Sequence, residues 1–353
     1  MKIKKFNLKI NKSHSITSND IILNFEKDHT VDINKLNAIR SIYKKETIES
    51  LATYYEKILY HLNLDDPDWD SFLSKRQKEQ YMSYIKNKID DTLKITTDYF
   101  FNAFIERLEF FRLLKPVFYN ENLIKVPKYK HDSLTGRVSI TNGHNFLTMK
   151  KEDRNNLISP YEDHCLLEID FSSCEPYFYL SYLNKINSGE DVYNMIRNNL
   201  NIKKEVERSK LKRAIISILY EASNGTVKKL SGLSANKIKE IREYLETKKF
   251  KANLRKEFDE NEFIINFYGR PVLSDANLIN YWIQSSAVDF CCLSFYKFLC
   301  DYDYVKLHAM IHDAIIVSCP NDKIDIIRNI KALSENVSKF NIPIKINVLS
   351  SNN

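Results

Sequence analysis

Glycine is scarce in this chain, six of 353 residues, while asparagine, lysine, isoleucine and tyrosine are frequent. That bias fits an AT-rich genome and points to no function. Low-complexity tracts and internal repeats are missing. The six cysteines (Cys165, Cys174, Cys291, Cys292, Cys300 and Cys319) form no Cys-x-x-Cys pair and have no histidine at zinc spacing. This excludes a structural metal or disulfide framework and leaves core thiols in a reducing compartment. No apolar run approaches the length of a membrane span. The start, Met1-Lys2-Ile3-Lys4-Lys5-Phe6, lacks the apolar core and cleavage site of a signal peptide. The expectation is a soluble, cytoplasmic protein. Charge of one sign is also modest, a net +7. It suits a polyanionic partner without demanding one.

What is present is the composition of a folded domain, 43% apolar and 28% charged. A chain this long normally divides into two or more lobes. Residues 1–35 alternate polar and apolar positions and read as a few short strands, a β appendage of unassigned role. From 36 to 115 the pattern is helical, interrupted at Asp65-Asp66-Pro67-Asp68. Residues 163–183 read as strand then helix, and 188–260 as mostly helical. A hairpin is expected over 262–275 and one long helix over 276–300. Two strands around a turn span 304–318, followed by a helix and a final short strand.

Two aspartates stand at the ends of apolar strands. Leu166, Leu167 and Ile169 lead to Asp170, after which Ser172-x-x-Glu175 and Pro176 open a helix. That serine and glutamate also match a capping box, a purely structural reading of Glu175. Tyr304–Ile311 and Ala314–Cys319 flank His312-Asp313, so a tight turn there would project both polar side chains. Burying them without partners among Met310, Ile311, Ile315 and Ile316 would cost several kcal/mol. Two such aspartates could hold two magnesium ions about 4 Å apart, as in-line phosphoryl displacement requires. Magnesium keeps several waters, so few carboxylates suffice. Between them, Arg208, Lys212, Ile216 and Tyr220 recur every four residues and share one helical face. A triphosphate would lie along its basic half and a base on its apolar half; the structural alternative is a solvated basic stripe.

Together these pieces resemble family A, DNA polymerase I-like, DNA polymerases. Asp170-Phe171-Ser172-Ser173-Cys174-Glu175 is similar to that family's Asp-Tyr-Ser-Gln-Ile-Glu signature. The Arg208 to Tyr220 face resembles its fingers helix, and His312-Asp313 its Val-His-Asp-Glu turn. Thr135-Gly136-Arg137-Val138-Ser139, with Thr141 and Asn145, resembles its Thr-Gly-Arg-Leu-Ser block. Asn280-x-x-x-Gln284, continuing to Asp289, resembles its Asn-x-x-x-Gln helix, and Gly189, Tyr193, Gly269 and Arg270 also fall in register. The likeness runs from roughly 105 to 349, about two thirds of the chain.

The resemblance implies an α+β right-hand polymerase fold with an antiparallel palm sheet, helical fingers and a helical thumb. The thumb would occupy 36–125, the palm 126–186 and 276–353, and the fingers 187–275. It implies a template-directed DNA polymerase, of a phage or similar element, working in the bacterial cytoplasm. Two Mg2+ ions would be held by Asp170, Asp313 and the Phe171 carbonyl. Arg208, Lys212, Ile216 and Tyr220 would contact the dNTP, and Glu175 would exclude a ribose 2′-hydroxyl. Arg137, Asn280, Gln284 and His312 would touch primer-template DNA along its minor groove. No paired-carboxylate exonuclease motif precedes the thumb. Proofreading, helicase or processivity functions would therefore come from other chains.

The chain departs from the family at several positions. Ala314 stands for a glutamate, Ile216 for an aromatic ring, Glu221 for a glycine and Ala276 for an arginine. Two other readings stay open: a single-subunit phage-type RNA polymerase, and a catalytically silent nucleic-acid-binding replisome subunit.

Overall fold

The structure is a computed structural model that describes residues 6–10, 21–25, 106–107, 109–130, 133–187, 189–261 and 263–351. Strands β1 (Phe6–Ile10) and β2 (Ile21–Phe25) pair antiparallel. Then come β3 (Val117–Tyr119), β4 (Asn122–Ile124), β5 (Lys128–Lys130), β6 (Ser139–Asn142) and β7 (Leu157–Ile158). Strands β4, β3 and β7 make one small sheet and β5 and β6 another. Most of the region expected to be a helical thumb lies outside the described residues. Its last part, 117–124, is a β-hairpin instead of helix, because Asn120 and Glu121 both take left-handed conformations and turn the chain.

Strand β8 (His164–Phe171) leads into α1 (Cys174–Tyr182). Five helices follow: α2 (Val192–Asn199), α3 (Arg208–Leu219), α4 (Asn224–Ser231), α5 (Ala235–Tyr244) and α6 (Thr247–Asn261). The short hairpin of β9 (Ile264–Ile265) and β10 (Pro271–Val272) precedes the long helix α7 (Leu278–Asp301). The chain ends with β11 (Lys306–Ile311), β12 (Ala314–Pro320), α8 (Ile324–Arg328), β13 (Ala332–Leu333) and β14 (Ile342–Ser351). Strand β14 has ten residues, longer than the short strand expected there, because it pairs along nearly all of β8.

The main sheet has five strands in the order β11-β12-β8-β14-β13, every neighbour antiparallel. Burial on both faces explains why β8 reads as an almost unbroken apolar run. Cys165, Leu167, Ile169 and Phe171 enter the core shared with α1 and α7. Leu166 packs on the other face with Val117, Phe146, Leu157, Ala309 and Ile316. Asp170 belongs to that second face, at its open end. Helix α7 is buried along nearly its whole length, which accounts for its lack of an amphipathic pattern. Among the described residues, no helix is long and apolar enough to cross a membrane.

With so few glycines, left-handed backbone positions fall to other residues, eleven of them in the described chain. Two bracket the site. Ser173, at φ 59°, bends β8 into α1, and His312, at φ 57°, makes the β11–β12 turn. A left-handed conformation disfavours a residue with a Cβ by roughly 1–2 kcal/mol, which the surrounding packing must offset.

Candidate active site

The β11–β12 turn has two residues, since Ile311 pairs with Ala314. Ala314 in turn pairs with Asp170 on β8. The Phe171 amide donates to the Asp313 carbonyl at 3.1 Å, locking the turn to the end of β8. Asp170, near the end of β8, and Asp313, in the β11–β12 turn, thus sit at one end of the sheet, both half-buried. Burial pushes the Asp170 carboxyl up to about 6, with the charges of Asp313 and Glu168 adding to the shift. Burial also raises Asp313, against the pull of His312, Arg137 and Lys212. Carboxylates held together in this way favour a bound cation or a proton.

Both carboxylates border a cavity of about 400 Å³, within the range of small-ligand pockets. Arg208, Lys212 and Ile216 border it too, as their four-residue spacing on α3 requires. Lys212 is exposed, and no hydrogen bond or ion pair engages it among the described residues. Arg208 is paired with Asp191 and lies over the Tyr193 ring, 4.8 Å from its centroid. Asp191 also caps α2 by accepting from the amides of Tyr193 and Asn194. Burial would raise the Asp191 carboxyl, but Arg208 and those amides outweigh it and hold it below the usual range. Asp191 and Tyr193 were given no role in the site, although the Gly189–Tyr193 segment was noted as in register with the resembled family. The capping position of Asp191, just before an amphipathic segment, was a second signal.

Glu175 is not part of a capping box. Ser173, not Ser172, takes the cap position of α1, and no side chain caps that end. The Glu175 carboxylate instead pairs with Arg137 at 2.5 Å and accepts from the Tyr220 hydroxyl at 2.7 Å. Gln284 donates to the same hydroxyl at 3.0 Å. Burial raises the Glu175 carboxyl although Tyr220 and Arg137 oppose it. Arg137, Glu175 and His312 border the cavity, whereas Tyr220 and Gln284 reach it through Glu175. Asn280, one turn before Gln284 on α7, does not border it. Its buried Oδ1 has no hydrogen-bond partner among the described residues.

The departures from the family pattern have visible consequences. At Glu221 the backbone is left-handed (φ 58°), the conformation a glycine adopts freely. Its side chain accepts from the Ile279 amide at 3.1 Å and pairs with Lys251 at 2.6 Å, tying α3 to α6 and the start of α7. Ala314 leaves its cross-strand position beside Asp170 without a carboxylate. Lys345, opposite Asp170 on β14, was not foreseen and also lines the cavity.

Beside the site lies a fully buried ionic cluster. Asp289 accepts from Arg107 at 2.5 Å, from Arg270 at 2.8 Å and from Asn266 at 2.8 Å. Arg107 also donates to the Gly136 carbonyl, so the cluster anchors the loop that carries Arg137. Gly136 has φ 71°, and a Cβ there would come within 3.0 Å of the Arg270 guanidinium carbon.

No group of three or more His, Cys, Asp or Glu is placed to hold a metal among the described residues. The donors available are hard oxygens, namely two carboxylates raised by burial, that of Asp170 also by the negative charges of Asp313 and Glu168. That set fits magnesium, which takes few protein ligands, and not zinc.

No protein-family model and no curated protein matches this chain. Among solved structures it is similar to the POL domain of Pol1 from M. smegmatis, in complex with DNA primer-template and dNTP, at 12% identity and a TM-score of 0.46. The overlap covers 86% of this chain and 55% of that one, so this chain spans about half the length of that structure.

Proposed function

We propose that this chain is a template-directed DNA polymerase that adds deoxynucleotides to a primer 3′-hydroxyl. One observation carries the reading. Asp170 and Asp313, brought together by β8 and the β11–β12 turn, border the same cavity as the Arg208, Lys212 and Ile216 face of α3. Paired acid opposite a basic, then apolar, helix face suits a nucleoside triphosphate, with its phosphates on one half and its base on the other.

In this reading, Lys212 and Arg208 bind the triphosphate, Arg208 exchanging Asp191 for phosphate oxygens. Magnesium held by Asp170, Asp313 and the Phe171 carbonyl would supply Lewis-acid stabilisation of the phosphoryl oxygens. The primer 3′-oxygen bonds to the α-phosphorus as the bond to the β-phosphate oxygen breaks, and pyrophosphate leaves. The Lys212 ammonium and the Arg208 guanidinium face the charge that gathers on that leaving group. Ile216 offers an apolar surface to the nucleotide. Glu175, held by Arg137 and Tyr220, walls the sugar and disfavours a 2′-hydroxyl. Arg137, His312, Gln284 and Asn280 are proposed to contact the primer-template.

Primer extension with magnesium tests the reading. The wild-type protein should extend with dNTPs and poorly with rNTPs. Asp313→Ala should lose extension while retaining DNA binding measured by anisotropy. If the wild type binds DNA but extends with neither nucleotide class, the enzyme reading fails. Preferential rNTP incorporation would favour the RNA polymerase alternative.

A further inference from the structure

Cys174 and Cys291 hold their sulfurs 3.4 Å apart, where the first turn of α1 meets α7. Both are reduced and buried, and both border the cavity described above. The other four cysteines are arranged differently. Cys165 and Cys319 are cross-strand neighbours, but each sulfur lies against a backbone carbonyl. Cys292 lies beside the Met310 sulfur at 3.9 Å, and Cys300 is exposed.

We infer that Cys174 and Cys291 are an oxidisable dithiol in the cavity wall, a modification site that closes to a disulfide and displaces the adjoining Glu175. A disulfide bond is about 2.05 Å long, so the sulfurs need to approach by only about 1.4 Å. The oxidant is a hydroperoxide, small enough to enter a cavity of about 400 Å³. One thiolate attacks a peroxide oxygen. The S–O bond forms, the O–O bond breaks and water leaves. The second thiol then attacks that sulfur, the S–S bond forms, the S–O bond breaks and a second water leaves. Two thiols and one hydrogen peroxide give one disulfide and two waters. Burial keeps the resting thiols protonated, so the reaction is slow and needs peroxide in excess.

The consequence follows from sequence adjacency. Glu175 is the next residue after Cys174, and its bonds to Arg137 and Tyr220 are 2.5 and 2.7 Å long. A shift of the first turn of α1 by about 1 Å away from Arg137 and Tyr220 takes these contacts to about 3.5 and 3.7 Å, past the ordinary hydrogen-bond range. The loss of nucleotide addition that results rests on the polymerase reading above; the disulfide itself does not.

The full-length protein is treated with hydrogen peroxide, denatured, alkylated and read by intact mass and peptide mapping. A Cys174–Cys291 linked peptide is expected, with two fewer alkylated thiols, reversed by dithiothreitol. It should be absent from Cys174→Ser and Cys291→Ser and retained in Cys292→Ser. Oxidation confined to Cys300, or a Cys174–Cys292 link that persists in Cys291→Ser, would overturn the inference. In parallel, primer extension should fall at least tenfold on oxidation and recover with dithiothreitol, while Cys174→Ser should resist. A disulfide that forms without slowing extension would refute the displacement of Glu175. Absence of extension in the reduced protein would count against the polymerase reading alone, since the peptide map still decides the disulfide.

Discussion

Asp289 and Asp170 lie in the same fold and have opposite surroundings. Asp289 is fully buried, and burial alone would raise its carboxyl. Arg270, then Arg107 and Asn266, hold it below the usual range instead. Asp170 is only half-buried, yet it rises to about 6, because Asp313 and Glu168 add to its desolvation and the nearest lysines only partly oppose it. The first carboxylate is saturated with donors and locks together the Gly136 loop, β9–β10 and α7. The second is left short of positive charge at a cavity. The first arrangement is that of a structural ion pair, and the second suits the ligand-binding role proposed above.

The sharpest way to break this contrast is to remove one charge from each cluster. Asp313→Asn should cut primer extension by about 10³-fold or more, about 4 kcal/mol, without lowering the unfolding midpoint. Asp289→Asn should do the converse. It removes the Asp289 charge that both buried guanidiniums share and should cost about 3–5 kcal/mol in chemical denaturation.

A pH series sharpens the comparison. A carboxyl whose folded pKa is raised binds more protons folded than unfolded. Its ionisation therefore costs stability as pH rises from the unfolded value near 4 through about 6. In magnesium-free buffer, Asp170→Asn should stabilise the protein by about 1–2 kcal/mol at pH 8, discounted for partial exposure, and by little at pH 4. An equal gain at both pH values would show that Asp170 is not strained by its own charge.

Two smaller changes probe the link between the clusters. Gly136→Ala places a Cβ at a left-handed position against Arg270 and should cost about 1–2 kcal/mol in thermal unfolding. It should also weaken extension through Arg137. Tyr220→Phe removes the hydroxyl that donates to Glu175 and accepts from Gln284, two hydrogen bonds worth about 1 kcal/mol each. It should shift the dNTP KM several-fold with a stability loss of about 1–2 kcal/mol.

Much of the local architecture was legible from residue patterns. The apolar run ending at Asp170 could only be a buried strand, and Pro176 suits the first turn of the helix that follows it. The four-residue spacing of Arg208, Lys212 and Ile216 defines one face of α3 whatever surrounds it. The apolar flanks of His312-Asp313 confine the polar pair to a turn. The fate of Glu175 was not legible. Its spacing from Ser172 satisfied a capping box, and only the left-handed Ser173 turned the helix start so that Glu175 faces Arg137 and Tyr220. Lys345 opposite Asp170 depends on strand register, and a one-residue slip would have placed it on the other face.

The amino-acid order alone therefore determined the strand that ends at Asp170, the shared face of α3 and the turn at His312-Asp313, because backbone geometry repeats over a few residues. Partnerships across long separations, Arg107 with Asp289 at 182 residues and Cys174 with Cys291 at 117, were decided only by the packing of α1, α7 and the five-stranded sheet. Hydrogen bonds and charge pairing act over a few ångströms, and only the folded chain brings such distant residues that close.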